Sequence, residues 1–136
     1  GSYHHFEFKT TTRPIHMDSF GHVNNSSYLV LFEDARWDIL NKGNWEVDKI
    51  QKEKIGPVLL HVDLSFKSEL NLGENIVIES YLLKIKNRKV IQFYQELRKE
   101  NGIVASVAVF EIGLFDLKTR KLINITDEWL RVLGGR

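Results

Sequence analysis

The sequence predicts an α+β fold in which a five-stranded antiparallel sheet wraps around one long helix, with a short helix at the C-terminal end. One early segment has apolar residues at helical spacing. The segments predicted as strands alternate or run apolar, and short turns separate those after the helix, which implies antiparallel pairing. A sheet of this kind buries its one apolar helix in its concave face.

Size and composition limit the functions that need to be considered. The chain has 136 residues and a formal net charge of +1, so we expect one domain over residues 3–136, with Gly1 and Ser2 as a cloning remnant. The small net charge gives no indication of nucleic acid or a membrane as a partner. The chain contains no cysteine, which excludes disulfides, thiolate metal sites and cysteine nucleophiles. We expect a cytoplasmic protein.

The first predicted strand covers residues 6–13, which alternate in polarity and are rich in β-branched and aromatic side chains. Pro14 ends it because proline cannot donate a hydrogen bond to a sheet. Residues 14–24 contain glycine, proline and asparagine and are predicted to form a loop.

A long helix is predicted next, ending at Gly43 and capped at its start by Asn24, Asn25 or Ser26. Further apolar residues lie beside the main stripe, so we expect a largely buried helix. The stripe consists of Tyr28, Leu31, Phe32, Ala35 and Ile39, and the additional apolar residues are Leu29, Val30 and Leu40.

The rest of the chain is predicted to be mostly strand. A polar stretch up to Pro57 follows the helix, and Thr126 is expected to cap the short final helix. Asn101-Gly102 indicates a hairpin turn. The predicted strands cover residues 58–69, 75–85, 89–98 and 103–117.

The segment with most chemical information is the loop that precedes the long helix. It places a carboxylate, Asp18, and a glycine, Gly21, directly before a helix start. Thioester hydrolysis requires a base or nucleophile and hydrogen-bond donors for the oxyanion at one carbonyl. The free amides of a helix start supply such donors, and the loop carboxylate supplies the base. Gly21 allows the backbone to approach a substrate closely.

This segment resembles the signature of the 4-hydroxybenzoyl-CoA thioesterase-like hotdog family. The shared residues are Asp18, the run Gly21-His22-Val23-Asn24-Asn25, the pair Tyr28-Leu29 and the run Phe32-Glu33-Asp34-Ala35-Arg36. The likeness is greatest to bacterial acyl-CoA thioesterases, including enzymes that act on long chains. The resemblance therefore implies a hotdog fold and hydrolysis of acyl-CoA.

The resemblance also implies roles for individual residues. Asp18 takes the place of the catalytic aspartate, and the backbone N–H of Asn25 that of the donor to the thioester carbonyl. The plant acyl-carrier-protein thioesterases share the His-Val-Asn-Asn run and assign roles to a His and an Asn. His22 matches their histidine and is a third catalytic candidate, whereas Phe20 stands where their asparagine is found.

A homodimer is implied as well, with the active site at the subunit interface, and family members often pair dimers into tetramers. Gly21 and Tyr28 are expected to contact the acyl-CoA substrate, although Tyr28 also fits a core position. No metal or other cofactor is expected. The candidates for binding the CoA phosphates are Arg88 and Lys89, and also Lys67 and Arg98.

Alternatives remain open from the residues alone. Asp18 also fits a loop aspartate that caps a turn. His16, Asp18 and His22 match no metal-ligand spacing, so a metal site is disfavoured. His22 fits equally a role in bracing the loop. A hydratase or dehydratase of acyl thioesters, which needs an acid–base pair, and a non-catalytic acyl-CoA binding protein are the alternative functions.

Overall fold

The computed structural model describes residues 3–135, so Gly1, Ser2 and Arg136 lie outside the described residues, including the predicted cloning remnant. A single 3₁₀ turn, Pro14–His16, separates the first strand from the first helix. In chain order the helices and strands are β1 His5–Thr11, α1 Asn25–Lys42, α2 Val47–Glu53, β2 Ile55–Phe66, β3 Asn75–Ile85, β4 Ile91–Lys99, β5 Val104–Asp116, β6 Lys121–Ile123 and α3 Asp127–Val132.

The sheet confirms the predicted antiparallel architecture. Its main strands lie in the order β1-β3-β4-β5-β2, and every pair of neighbours is antiparallel. The sixth strand, β6, was not predicted and pairs with the end of β5. Strands β1 and β2 are the two edges of the sheet, so one side of each lacks a partner strand within residues 3–135.

The long helix α1 packs its apolar stripe against one face of the sheet, as predicted. Its stripe residues are each at most 3% exposed. The expectation of burial was wrong for two residues beside the stripe, since Leu29 is 36% and Val30 49% exposed. Both lie on the part of α1 that the sheet does not cover within one protomer.

A buried polar group also joins α1 to the sheet. Gln95 on β4 is fully buried, and its Nε2 donates to the carbonyl of Phe32 at 3.1 Å and to Ser80 Oγ at 3.0 Å. Its Oε1 accepts a hydrogen bond from Arg36 at 2.9 Å. Because buried polar groups cost free energy when unpaired, this network fixes where α1 lies on the sheet.

The segment between α1 and β2 differs from the prediction. Residues 47–53 form α2, which buries no side chain and therefore shows no apolar stripe from which a helix is predicted. Strand β2 begins at Ile55, ahead of the predicted residue 58, and contains Pro57. A proline is tolerated there because β2 is an edge strand.

The register defines two ends of the sheet. Thr11 pairs with Asn75, so the loop after β1 lies at the end where β3 begins. The turn between β3 and β4 lies at the other end, and β3, with 11 residues, spans about 36 Å. No helix within residues 3–135 is both long and apolar enough to cross a membrane.

Candidate active site

The loop between β1 and α1 closes on itself like a small hairpin. Met17 and Val23 form an isolated antiparallel bridge. The amide of Asp18 donates to the carbonyl of His22 at 2.8 Å. The amide of Val23 donates to the carbonyl of Leu70 at 2.9 Å, which fastens the loop to the segment after β2. This closure returns the chain from Asp18 to the start of α1.

The carboxylate of Asp18 is partly buried and has one bonded oxygen. Its Oδ1 accepts the amides of Phe20 at 2.8 Å and His22 at 3.2 Å. Within residues 3–135 no donor forms a hydrogen bond with its Oδ2. Asp18 therefore caps the turn, as one alternative held, and still presents a second carboxylate oxygen for chemistry.

The start of α1 presents a free backbone donor beside this loop. Of the predicted caps, Asn24 is the one used, since its Oδ1 accepts the amide of Ser26 at 3.1 Å. Ser27 N–H donates to the carbonyl of Asn24 at 2.8 Å. The N–H of Asn25 has no acceptor within the described part of the chain. It lies at a helix end that favours negative charge.

His16 is a residue of this site that sequence analysis considered only as a metal ligand. It is 3% exposed, and its Nδ1 accepts the amide of Arg13 at 2.9 Å. Its carbonyl accepts the amide of Asn24 at 2.8 Å. Burial, and then the charge of Arg13, lower the pKa of His16, while Asp34 raises it. In the sequence, the feature that could have indicated this role is the three-residue separation of Arg13 and His16 with Pro14 between them.

Gly21 is required by the loop conformation. Its φ is +84°, which L-residues with a side chain rarely adopt. A Cβ at this position would meet no atom within 4 Å, so the constraint comes from the backbone alone. The neighbouring Phe20 is 84% exposed. An exposed phenylalanine beside the carboxylate gives the loop an apolar surface.

The ring of His22 is engaged away from the Asp18 carboxylate. Its Nε2 lies 3.2 Å from Glu69 Oε2, and both side chains are substantially exposed. The contact between His22 and Asp18 is made by the backbone of His22. A bracing role for the ring agrees with this geometry, and its catalytic role stays a prediction.

Tyr28 occupies a core position directly behind the loop. It is 3% exposed, its hydroxyl donates to the carbonyl of Ser68 at 3.3 Å, and its ring packs edge-on against Phe66. Burial, with the charges of Glu74 and Glu69, raises the pKa of Tyr28. Its proposed contact with substrate therefore requires an opening of this packing.

The basic candidates for CoA phosphates fall at different ends of the sheet. Arg88 and Lys89 lie in the exposed turn between β3 and β4, at the end remote from Asp18 in the same protomer. Lys67 and Arg98 lie at the Asp18 end. Arg98 donates hydrogen bonds to the carboxylates of Glu79 and Glu96, which raise its pKa. Lys67 is therefore the less engaged of these two basic side chains.

The site does not present a metal-binding cluster. Within residues 3–135, no group of three or more histidine, aspartate or glutamate side chains is arranged to hold a metal ion. The chemical groups that the loop does bring together are one carboxylate oxygen, one free amide and an exposed aromatic ring. This set suits attack on a carbonyl group.

Comparison with known families matches residues 12–133 to the model of the thioesterase-like superfamily. Among curated proteins, the chain is similar to the long-chain acyl-CoA thioesterase FadM of Escherichia coli (strain K12). The two are 27% identical over 116 residues, which cover 85% of this chain and 87% of the relative.

Solved structures share the fold. The probable thioesterase YbaW from Escherichia coli superimposes with a TM-score of 0.80 at 27% identity, covering 95% of this chain and 96% of that one. A Staphylococcus aureus protein, SAV2348, solved in complex with CoA, gives a TM-score of 0.86 at 18% identity, covering 96% and 82%. The predicted hotdog fold is confirmed by these similarities.

Proposed function

This chain belongs to the thioesterase-like superfamily and is a thioester hydrolase, and we propose that it hydrolyses acyl-CoA to a free carboxylic acid and CoA. The observation that carries the proposal is that one short loop contains a carboxylate with one oxygen free of hydrogen bonds and leads to a helix amide without an acceptor. Oδ1 of Asp18 accepts hydrogen bonds from two backbone amides. The N–H of Asn25, at the start of α1, has no acceptor within residues 3–135.

Asp18 Oδ2 is the group proposed to start the reaction. It either attacks the thioester carbonyl, which gives a mixed anhydride and releases the CoA thiolate, or takes a proton from an attacking water. In both routes the carbonyl oxygen becomes negatively charged. The free N–H of Asn25 would stabilise this oxyanion, since it lies at the positive end of α1.

The proposed assembly is a homodimer formed through the edge strand β2. Several apolar side chains on β2 and on the uncovered side of α1 are exposed, and the open edge of β2 offers unpaired backbone groups. Pairing of two copies through β2 would bury these apolar side chains and give the backbone groups of β2 hydrogen-bond partners. The exposed side chains are Leu59, Leu60 and Phe66 on β2 and Leu29 and Val30 on α1. Assembly of dimers into a tetramer and a cytoplasmic location stay predictions.

This dimer relates the phosphate candidates to the active site. An antiparallel β2–β2 pair places the start of β2 in each protomer beside the end of β2 in the other. Lys67 follows β2 at the Asp18 end of its own protomer, whereas Arg88 and Lys89 would approach a CoA molecule only from the other protomer. We propose that Lys67 contacts the phosphates at the same protomer's site, with Arg88 and Lys89 as cross-subunit candidates.

No observation favours the hydratase alternative. A hydratase needs an acid–base pair at the α and β carbons, and the contact between His22 and Asp18 is made by the backbone of His22, while its ring contacts Glu69. Release of free thiol from acyl-CoA, measured beside loss of enoyl-CoA absorbance, separates hydrolysis from hydration. An acyl-CoA binding protein without activity would release no thiol.

The test of the proposal is the variant Asp18→Asn assayed for thiol release from acyl-CoA. Asparagine keeps the Oδ1 that accepts the Phe20 and His22 amides, so the loop is preserved while the charge is removed. We expect kcat to fall by about 10²- to 10⁴-fold. Asp48→Asn, which changes an exposed aspartate on α2, is the matched control and should leave kcat unchanged. Undiminished turnover in Asp18→Asn would remove Asp18 from the mechanism.

A further inference from the structure

A pocket lies between the second half of α1, the start of β2 and α3, apart from the Asp18 loop. Its volume is about 130 Å³, comparable to an engineered apolar cavity of about 150 Å³ that binds benzene. Most of its lining is apolar. The walls include Trp37 and Leu40 of α1, Pro57 and Leu59 of β2, and Trp129 of α3.

Arg36 is one of the two charged residues that line this pocket. Arg36 is partly buried, stacks over the ring of Phe110 at 4.3 Å from its centroid, and gives one hydrogen bond to Gln95. A guanidinium has five N–H donors, and within the described residues no carboxylate lies within 4.0 Å of it. Burial lowers the pKa of Arg36 to about 10, and Glu33 acts in the opposite direction. The buried cation therefore lacks a close anion.

The same lining contains one buried donor without a partner, on Trp129. The indole Nε1 of Trp129 is buried and has no hydrogen-bond partner in the described part of the chain. Trp129 is 1% exposed and lines the pocket. Unpaired buried donors are rare in folded proteins because each one costs free energy. A ligand with oxygen acceptors suits this pocket, because its lining contains the Arg36 side chain and one unpaired buried N–H, that of Trp129.

We propose that this pocket binds the far end of an acyl group that ends in a carboxylate, which pairs with Arg36; this inference rests on the proposed function. A carboxylate matches the fork of N–H donors on a guanidinium in bidentate geometry. The apolar lining accommodates the methylene groups that precede the carboxylate. The small volume admits the end of a chain and leaves the remainder outside.

In the proposed dimer, the acyl group of a reacting thioester would reach this pocket. Its β2 wall, Pro57 to Leu59, belongs to the strand through which the proposed dimer forms. An antiparallel β2–β2 pair brings the Phe66 end of the other copy, and with it the partner subunit's Asp18 loop, towards this wall. An acyl group attacked at that loop would extend into this pocket.

Glu33 also lines this pocket, and its substitution provides a test of the electrostatic argument. Glu33 and Arg36 lie one helical turn apart on α1, and no ion pair joins them. The Glu33 side chain is exposed to solvent, which screens its charge more strongly than that of the buried guanidinium. Its negative charge opposes an anionic ligand, so Glu33→Gln should strengthen binding of a carboxylate-ended acyl group.

The experiment compares acyl-CoA pairs of equal length with and without a terminal carboxylate: octanoyl-CoA with octanedioyl-CoA, and dodecanoyl-CoA with dodecanedioyl-CoA. Thiol release by the wild-type protein should give kcat/KM at least about tenfold higher for the carboxylate-ended member of one pair. Arg36→Met should abolish this preference, so that kcat/KM becomes equal for the two members of the pair. Arg36→Lys should retain part of it, and Arg131→Met, an exposed arginine on α3, should not alter it.

The outcomes separate this inference from the proposed function. Turnover of both members of every pair at equal kcat/KM by the wild-type protein overturns the inference and leaves hydrolysis of acyl-CoA standing. Release of thiol from no acyl-CoA overturns the proposed function itself. The wild-type comparison needs no variant, so a folding defect in Arg36→Met would not protect the inference.

Discussion

The amide of Asn24, the residue that caps α1, donates to the carbonyl of the buried His16 at 2.8 Å. This bond joins the two ends of the loop that contains Asp18. The position of the carboxylate relative to the helix start therefore depends on backbone bonds around a buried histidine. The candidate site is held by residues that need not touch a substrate.

The first prediction concerns the oxyanion donor. Asn25→Pro should lower kcat by about 10²- to 10³-fold, because proline lacks the N–H that would stabilise the oxyanion. The fold should survive, since proline is favoured at the first position of a helix. The preceding residue, Asn24, already has φ −62° and ψ 141°, the extended conformation required before proline.

Asn25→Ala is the matched control, because it removes the side chain and keeps the N–H. Its kcat should equal that of the wild-type protein in the same thiol-release assay. Circular dichroism should show that both variants are folded. If Asn25→Pro were folded and fully active, the amide of Asn25 would not be the oxyanion donor.

The second prediction concerns His16 and pH. Only neutral histidine accepts a hydrogen bond at Nδ1, so protonation breaks the bond from the Arg13 amide. The pKa of His16 is lowered in the fold, chiefly by burial. The unfolded chain therefore binds the proton first as pH falls, and stability decreases below the ordinary histidine pKa of 6.5. Above that pH the contribution is fully present.

Two substitutions separate a positioning role of His16 from simple packing. Asparagine places Oδ1 near the position of the histidine Nδ1, so His16→Asn should keep kcat, and its free energy of unfolding should fall less steeply below pH 6.5 than that of the wild-type protein. His16→Ala should lose both the acceptor and the buried ring and be destabilised by about 1–3 kcal/mol. Urea denaturation across this pH range measures the effect, and equal decreases in unfolding free energy for His16→Asn and wild type would contradict this role.

The third prediction concerns the proposed dimer. Leu60 on β2 is 44% exposed, and Leu60→Lys should convert the dimer to a monomer by placing a charge in the proposed interface. Leu83 on β3 is similarly exposed at 42%, so Leu83→Lys is the matched control and should stay dimeric. Sedimentation velocity measures both. A Leu60→Lys protein that stays dimeric would exclude an interface centred on this part of β2.

The fourth prediction concerns the stability of α1. Asn24→Ala should reduce the free energy of unfolding by about 1 kcal/mol, because the Ser26 amide loses its acceptor. Asn25→Ala should leave it unchanged, since the exposed Asn25 side chain makes no hydrogen bond within residues 3–135. Urea denaturation of the two variants decides which asparagine caps the helix. Equal stabilities would contradict the assignment to Asn24.

The amino-acid sequence by itself determined the fold class, the main strands, the helix α1 and its end at Gly43. These follow from local periodicity and turn chemistry, which each segment contains within itself. Helix α2 was missed because none of its side chains is buried, and apolar periodicity is the pattern from which helices are predicted. The motif from Asp18 to Asn25 was likewise visible, because its residues are close along the chain.

Only the tertiary structure decided which groups of the site are engaged. In the folded protein, Oδ1 of Asp18 accepts two amides and the ring of His22 contacts Glu69. Arg88 and Lys89 lie at the end of the sheet remote from Asp18. The tertiary structure also brought Arg36 and Trp129 to one pocket from helices that are remote in the chain. Such contacts depend on register and packing across the sheet, which spacing along the chain does not specify.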